Sequence, residues 1–306
     1  MSRITPARLP PPGPHGGDGM SIAAALGLDS GAILDLSASF NPVVPDPAEV
    51  VAKHLDGLHR YPDARVATHA LASALGVAPE RVLLTNGGAQ AIALVAAALG
   101  GTVAEPDFAL YPRRAGPAGP RWRSNPHNPT GRLATDDEHA GVWDEAFYPL
   151  ATGCWTRGDA NRGAVVVGSL TKVFACPGLR LGYVLAPDEQ LIATLTERQP
   201  HWSVNGLATA ALPGLLERAD LPTWANAVAM LRTDLHALLD AHGLDPQPSD
   251  ANFILVTSAE GLRARLATHG VVVRDCTSFG LPGCARIAVP DVDGLTRLAE
   301  ALDRTS

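Results

Sequence analysis

The sequence predicts an α/β protein with a mainly parallel sheet, helices on both faces of that sheet, and a smaller α+β domain. Between residues 82 and 168, short β-branched runs alternate with turns and helix-forming stretches, the pattern of a parallel sheet between helices. After residue 206, helical alanine and leucine runs precede the apolar runs FILV, VVVR and RIAV, which predict a second unit. With 306 residues, 46% of them apolar, the chain is long enough to bury both cores.

The first eighty residues are predicted to form mainly helices. The beginning of the chain, to residue 17, is rich in proline and glycine and is expected to be extended or disordered. Alanine and leucine content predicts helices over 21–28, 47–58 and 68–75, the last one ended by Gly76.

These elements divide the chain into a leader and two domains. No internal repeat or charge block separates the parts, so the economical arrangement is one large domain with a smaller one built from the two chain ends. The predicted parts are a leader at 1–17, a large cofactor-binding domain at 45–205, and a small domain at 18–44 and 206–306.

Charge and composition exclude several function classes. The net charge of -7, from 24 Lys and Arg against 31 Asp and Glu, argues against nucleic acid as a partner. The longest apolar run, 91–99, is too short to span a bilayer, so we expect no membrane partner. The N-terminus lacks the apolar stretch of a secretory signal, so a cytoplasmic location is expected. The four cysteines lack metal-ligand spacing, so no metal is expected.

The strongest chemical signal is the segment SLTKVFACPGLRLGY at 169–183, directly after an apolar strand. A lysine held at a strand end inside a closed site loses its proton readily, because burial disfavours the charged form, and it then condenses with an aldehyde. Beside Lys172, the hydroxyls of Ser169 and Thr171 are donors for a dianionic phosphate. The guanidinium of Arg180 is a third donor. The alternative is a surface lysine near an arginine in a structural ion pair.

This segment resembles the lysine motif of fold-type I pyridoxal-phosphate enzymes of the class I/II aminotransferase superfamily, in particular threonine-phosphate decarboxylases and histidinol-phosphate aminotransferases. The resemblance implies the aminotransferase fold type I, with a sheet of the seven-stranded type. It also implies pyridoxal 5'-phosphate bound to Lys172 as a Schiff base. The segment LLTNGGAQAIALVAAAL at 83–99 is similar to the family's strand, glycine turn and helix, whose amides, here Gly88 and Ala89, receive the cofactor phosphate.

Three further motifs of the family occur in the same order. EPDFALYP resembles the segment whose aromatic residue, here Phe108, lies on the pyridine ring. SNPHNPTG resembles the turn whose asparagine, here Asn128, donates to the ring hydroxylate. VWDEAFYPL implies that Asp144, the second expected catalytic residue, faces the pyridine nitrogen. A carboxylate there keeps the nitrogen protonated and lets the ring accept an electron pair from a bond broken at Cα.

The resemblance also implies a homodimer, and the chain departs from the family in length. RYPDA resembles the segment whose tyrosine, here Tyr61, reaches the cofactor phosphate of a neighbouring subunit, so Tyr61 is expected to act across the interface. Only 16 residues separate Tyr111 from Asn128. Only 12 separate Gly131 from Asp144, and relatives carry a further strand and helix in each gap.

The expected substrate residues are Arg286, Arg274 and His15. Arg286 resembles the family's late arginine that binds the substrate carboxyl group, and Arg274 lies one strand earlier. The start PHGGDGM resembles that of threonine-phosphate decarboxylases, where His15 is expected to approach a substrate phosphate. Phe147 replaces a tyrosine of typical histidinol-phosphate enzymes and favours the decarboxylase branch.

The resemblance therefore favours decarboxylation of a small phosphorylated amino acid, L-threonine O-3-phosphate, to aminopropanol phosphate in cobalamin biosynthesis. One alternative is an aminotransferase acting on histidinol phosphate or a related amino acid. Which bond at Cα breaks depends on how the carboxylate is held relative to the ring, and the sequence leaves that angle open. An alternative of another class is a cofactor-binding protein without catalysis.

Overall fold

The computed structural model describes residues 9–113 and 119–305, so residues 1–8 of the predicted leader lie outside the described residues. The α-helices of this part of the chain are α1 (Gly19–Leu26), α2 (Ala48–Val51), α3 (Arg65–Leu75), α4 (Gly87–Leu99), α5 (Tyr148–Thr152), α6 (Leu170–Val173), α7 (Glu189–Arg198), α8 (Gly206–Glu217), α9 (Leu221–Ala241), α10 (Leu262–Ala267) and α11 (Val292–Asp303). Its 3-10 helices are Ser30–Ala32, Ala52–His59, Pro79–Arg81, Asp159–Arg162, Pro177–Leu179 and Thr277–Phe279. Its strands are β1 (Leu34–Leu36), β2 (Val82–Asn86), β3 (Thr102–Val103), β4 (Arg121–Ser124), β5 (Val142–Asp144), β6 (Val165–Ser169), β7 (Leu181–Leu185), β8 (Asp245–Pro246), β9 (Phe253–Thr257), β10 (Val271–Asp275) and β11 (Ala285–Ala288). None of these helices is long and apolar enough to cross a membrane, and the cytoplasmic location stays a prediction.

The larger sheet has the strand order β2-β7-β6-β5-β4-β3. Strands β3 to β6 are parallel, and β7 is antiparallel to both of its neighbours. In the described residues this sheet has six strands, whereas the resemblance implies seven. Strand β3 pairs only with β4 among the described strands, so it lies at the edge of the described sheet.

Side chains of the larger sheet alternate between two cores, as expected for strands with a two-residue repeat. Trp143 and Val166 point into the core formed with α3, α5 and α8. Val142 and Val165 point into the core formed with α4 and α7. Helices therefore cover both faces of the sheet, and the predicted α/β fold class is confirmed.

The smaller sheet has the order β1-β10-β11-β9-β8 and joins the two chain ends. Strand β1 is parallel to β10, and the other pairs are antiparallel. Helix α8 packs on α3 in the core of the larger sheet. Along α9, Leu221 and Trp224 belong to that core, whereas Leu235 and Leu239 belong to the core of the smaller sheet. The domain boundary at 205/206 stays a prediction, and this packing favours a boundary inside α9.

The described part of the leader forms no helix or strand and lies against the smaller sheet. The Arg274 guanidinium on β10 donates to the carbonyl oxygens of Gly13, at 3.2 Å, and Pro14, at 2.6 Å. The Gly17 amide donates to Oγ of the buried Ser37 at 2.8 Å. These bonds bring residues 13–17 to the mouth of the cavity described next.

Candidate active site

A cavity of about 250 Å³ lies at the carboxyl ends of β4, β5 and β6. Loops that follow parallel strands meet at this edge of a sheet, which is where ligands bind in open α/β folds. The site residues predicted from the sequence line this cavity, with the exception of Tyr61: His15, Gly88, Ala89, Phe108, Asn128, Asp144, Ser169, Thr171, Lys172, Arg180, Arg274 and Arg286.

One end of the cavity is lined by the N-terminus of α4 and by side chains from β6, α6 and the residue before β7. We call this set of residues the anion cradle: Gly88, Ala89, Ser169, Thr171 and Arg180. A helix N-terminus presents unpaired amides and a positive dipole end to an anion. The preceding Gly87 has a φ of 73°, and a Cβ there would lie 2.6 Å from Nη2 of Arg180. The sequence reasoning missed Gly87, although the glycine pair in NGGAQ was its signal.

Asp144, at the end of β5, and Lys172, in the helix α6 that follows β6, line the same cavity. Burial, with repulsion from Arg286 and Arg180, lowers the pKa of Lys172 to about 8, and attraction by Asp144 opposes that shift. Burial raises the pKa of Asp144 to about 6. Around pH 8 the carboxyl group is therefore ionised, while the amine is partly neutral and able to attack an aldehyde.

Tyr111 is a functional candidate to which the sequence reasoning gave no role. Its hydroxyl donates to Oδ2 of Asp144 at 2.7 Å, and Oδ1 of Asp144 accepts the Ala146 amide at 3.0 Å. The Tyr111 side chain is buried, and this burial raises its pKa well above the usual value, so the hydroxyl stays protonated and donates. Tyr111 lies in the quoted segment EPDFALYP, but only the tertiary contact reveals its partner.

Arg286 is a buried cation without a carboxylate partner among the described residues. Its Nη1 donates to Oδ1 of Asn128 at 2.5 Å, and its Nε has no hydrogen-bond partner there. Its guanidinium carbon lies 4.6 Å from the ring centre of Phe253 and 6.0 Å from that of Phe147. Burial lowers its pKa to about 10, so the group remains charged at neutral pH. This geometry suits capture of an anion from the cavity.

Arg274 lies opposite Arg286 in the register of β10 and β11. Besides the leader carbonyls, it donates to Oγ of Ser278 at 2.8 Å. The leader brings His15 to the cavity, with ring centres of His15 and Phe108 5.5 Å apart. Burial and the charge of Arg274 lower the pKa of His15, so the imidazole is neutral at pH 7 and can donate a hydrogen bond.

Tyr61 lies outside this cavity, on the surface. Its side chain is 77% exposed and stacks on Trp202, with ring centres 4.4 Å apart and planes at 27°. Its role across a subunit interface stays a prediction.

The chain matches the family model "Aminotransferase class I and II" over residues 122–302, more than half of its length. The chain belongs to this aminotransferase family. It is 30% identical to a threonine-phosphate decarboxylase of Salmonella typhimurium, with 94% of this chain and 95% of that protein covered. It is 27% identical to a histidinol-phosphate aminotransferase of Natronomonas pharaonis, with 92% and 94% covered.

A solved structure of the same fold contains the cofactor. The histidinol-phosphate aminotransferase of Sinorhizobium meliloti in complex with pyridoxal 5'-phosphate superposes with a TM-score of 0.81, at 18% identity, covering 100% of this chain and 98% of that one. The family membership confirms pyridoxal 5'-phosphate as the cofactor and makes the chain an enzyme, either an aminotransferase or a decarboxylase. The alternative without catalysis is therefore set aside.

The residues present fit this cofactor. The anion cradle offers helix amides, hydroxyls and a guanidinium to a phosphate, and Gly87 leaves the space that Arg180 fills. The lowered pKa of Lys172 suits attack on an aldehyde, and the ionised Asp144 suits a pyridinium.

Proposed function

We propose that this aminotransferase-family enzyme decarboxylates L-threonine O-3-phosphate to an aminopropanol phosphate, a step of cobalamin biosynthesis. The observation that carries the proposal is the pair of buried arginines, Arg274 and Arg286, which are register partners and line one cavity. They are additional to Arg180 of the anion cradle. Because buried cations require anionic partners, a substrate with both a carboxylate and a phosphate matches the pair. The activity named for the Salmonella relative supports the same choice.

In this proposal the anion cradle holds the cofactor phosphate. Its donors are the amides of Gly88 and Ala89, the hydroxyls of Ser169 and Thr171, and the guanidinium of Arg180. Helix-terminal amides and a guanidinium fork both bind phosphate oxygens in charge-assisted hydrogen bonds.

Three residues then orient the cofactor ring. Phe108 packs on its face, and Asp144 holds a proton on its nitrogen. Because Oδ1 of Asn128 accepts from Arg286, Nδ2 of Asn128 remains the donor for the ring oxygen. When bound, the cofactor supplies an aldehyde that binds amines covalently and an electron-poor ring that accepts an electron pair released at Cα.

The chain's own residues then choose the bond and move the proton. Arg286 binds the substrate carboxylate, and Arg274 with His15 binds its phosphate. The bond between Cα and the carboxylate carbon breaks, carbon dioxide leaves, and Cα gains one proton. With a pKa of about 8, Nζ of Lys172 carries that proton near neutral pH and is the acid that we assign to this step.

Incubation of the cofactor-loaded enzyme with L-threonine O-3-phosphate tests the reaction. We expect stoichiometric release of carbon dioxide and aminopropanol phosphate without any amino acceptor. A strict requirement for 2-oxoglutarate would refute the decarboxylase. L-Threonine without the phosphate is the matched control and should react at least tenfold more slowly, because it leaves Arg274 and His15 without an anion.

Covalent attachment is tested by the lysine content of the chain. The sequence contains two lysines, Lys53 and Lys172, and Lys53 is exposed. After borohydride reduction, peptide mass spectrometry should find the cofactor on Lys172. Lys172→Ala should abolish the visible absorption band and the labelling, whereas Lys53→Ala should change neither.

A second candidate is transamination of histidinol phosphate or a related amino acid. The relative from Natronomonas pharaonis is named for that activity, and the aromatic contact between His15 and Phe108 offers a wall on which an imidazole ring could stack. Under this candidate, histidinol phosphate converts the aldehyde form of the cofactor to its amine form in a single half-reaction, without carbon dioxide release.

We also propose a homodimer in which Tyr61 binds the cofactor phosphate of the partner subunit. The exposed stack of Tyr61 on Trp202 supports it, because large aromatic surfaces seldom remain in water outside an interface. Sedimentation should give a dimer, and Trp202→Ala should shift it toward monomer. Tyr61→Phe should then weaken cofactor binding in a dimer that is otherwise intact. A wild-type monomer with full cofactor affinity would contradict this arrangement.

A further inference from the structure

The loop at 105–113 carries three residues that line the cavity, Phe108, Leu110 and Tyr111, and its backbone pairs with no strand in the described part of the chain. Phe108 lines the cavity, and Tyr111 donates to Asp144. The loop follows β3, which pairs only with β4 among the described strands. The backbone carbonyl groups of such a loop need hydrogen-bond donors other than those of a neighbouring strand.

Arg113, the last residue of the loop, has a side chain that supplies such donors. Its guanidinium donates to four backbone carbonyl oxygens, at 3.0 to 3.1 Å: those of Asp107, Phe108, Ala109 and Tyr111. Its Nε and Nη2 also form a fork with the carboxylate of Glu105, which has its pKa lowered by that contact. A guanidinium is suited to this arrangement because its donors are fixed in one plane.

The contact with Glu105 alone does not explain the arrangement. The Arg113 side chain is 34% exposed and that of Glu105 56%, and an exposed ion pair contributes little to stability. The four carbonyl bonds instead fix the backbone on both sides of Phe108 and at Tyr111. The Phe108 and Tyr111 rings meet edge to face, with centres 5.7 Å apart. The carbonyl bonds of Arg113 act on them together with the Asp107 carboxylate, which accepts from the Ser124 amide and hydroxyl.

We propose that Arg113 is a positioning residue, which holds Phe108 against the cofactor ring and the Tyr111 hydroxyl against Asp144. The inference rests on the proposed placement of the cofactor in the cavity. Arg113 itself does not line the cavity and acts through the loop backbone.

The test compares wild type with Arg113→Met and Arg113→Lys. For each, cofactor affinity is measured by titration of the apoenzyme, and the pH midpoint of the visible cofactor band is measured in the loaded enzyme. Arg113→Met should bind the cofactor about tenfold more weakly. Its midpoint should move by about half a pH unit, because Asp144 loses a hydrogen-bond donor. Arg113→Lys, which keeps the charge but cannot span four carbonyls, should lie closer to Arg113→Met than to wild type.

A double-variant comparison identifies the route of the effect. Tyr111→Phe should shift the midpoint by itself, and adding Arg113→Met should shift it no further. Fully additive shifts would overturn the route through Tyr111. Arg198→Met is the matched control, because Arg198 donates to the single carbonyl of Ala97, and it should leave affinity and midpoint unchanged.

The outcomes separate this inference from the proposed function. A wild-type cofactor band fixed to Lys172, together with wild-type affinity and midpoint in Arg113→Met, would overturn the role of Arg113 alone. Loss of thermal stability with an unchanged midpoint would also overturn it, since that is a purely structural effect. Absence of any cofactor band in wild type would overturn both. If Arg113→Met does not fold, Glu105→Gln takes its place as the test variant. Its pH midpoint should shift in the same direction by a smaller amount.

Discussion

The cofactor side of the cavity is built from the ends of β5 and β6 and the start of α4, whereas the substrate side comes from β10, β11 and the leader. On the cofactor side the buried carboxylate of Asp144 has two hydrogen-bond donors and a nearby lysine. On the substrate side Arg274 and Arg286 are buried without a carboxylate partner among the described residues. Asp144 thus has its partners in the free protein, whereas Arg274 and Arg286, like Arg180 of the anion cradle, have no anionic partner among the described residues. Such unpaired charge is expected to trade stability for binding.

The largest effect is expected from removing the charge on the cofactor side. Asp144→Asn should lower kcat/KM by about 10²- to 10³-fold, because the ring nitrogen loses the carboxylate that keeps it protonated. The cofactor should still be attached to Lys172, as seen by absorption and borohydride labelling. Asp144→Glu keeps the charge and is the control. Its kcat/KM should lie between that of wild type and that of Asp144→Asn. Activity of Asp144→Asn within tenfold of wild type would contradict the assigned role.

On the substrate side, removal of a charge should lower activity and raise stability. Arg286→Met should reduce kcat/KM by about 10²-fold, since the substrate carboxylate loses a charged partner. The free energy of unfolding should nevertheless rise by about 1–3 kcal/mol, because an unpaired buried cation is replaced by an apolar side chain. Urea unfolding and steady-state kinetics measure both. Arg286→Lys keeps a charge and should show no gain in stability; destabilisation of Arg286→Met would argue that the cation is satisfied in the free enzyme.

A second acid, next to Asp144 in the chain, is buried and does not line the cavity. Glu145 is 1% exposed, and burial raises its pKa to about 7 from the ordinary 4.5. Since the folded pKa is the higher one, its contribution to stability is full below about pH 4.5 and is lost as pH rises through about 7. Glu145→Gln should remove this dependence and be more stable than wild type at pH 8.5 by about 1–3 kcal/mol.

Urea unfolding at pH 6 and pH 8.5 measures that difference. Glu300→Gln, a change at an exposed carboxyl group, is the control and should keep the wild-type slope. The same slope in Glu145→Gln would mean that another group carries the pH dependence.

The smallest effect is expected at the mouth of the cavity. His15→Ala should lower kcat/KM for L-threonine O-3-phosphate by about tenfold, through loss of one hydrogen bond to a charged group. Its effect on L-threonine should be negligible, so the ratio of the two substrates is the quantity to measure. His59→Ala, at an exposed histidine, is the control. An equal loss for both substrates would assign His15 to the cofactor side instead.

The family, the fold class, the cofactor and the predicted residues that line the cavity were all accessible from the amino-acid sequence. The family and the cofactor were implied by the resemblance of the motifs, whereas the place of Lys172 and Asp144 followed from local pattern, because a residue just after a parallel strand lies at the carboxyl edge of the sheet. Phe108 and Asn128 were expected at the site from the resemblance of EPDFALYP and SNPHNPTG to the family's motifs, and both line the cavity.

The pairing of the polar groups, in contrast, is visible in the folded chain alone. The bond from Tyr111 to Asp144 joins residues 33 positions apart, and that from Arg286 to Asn128 joins residues 158 apart. The folded chain also gave Arg274 a second role, holding the leader, and revealed the contacts of Arg113 within its loop. Hydrogen bonds and burial depend on which surfaces meet in three dimensions, and one-dimensional spacing does not contain that information.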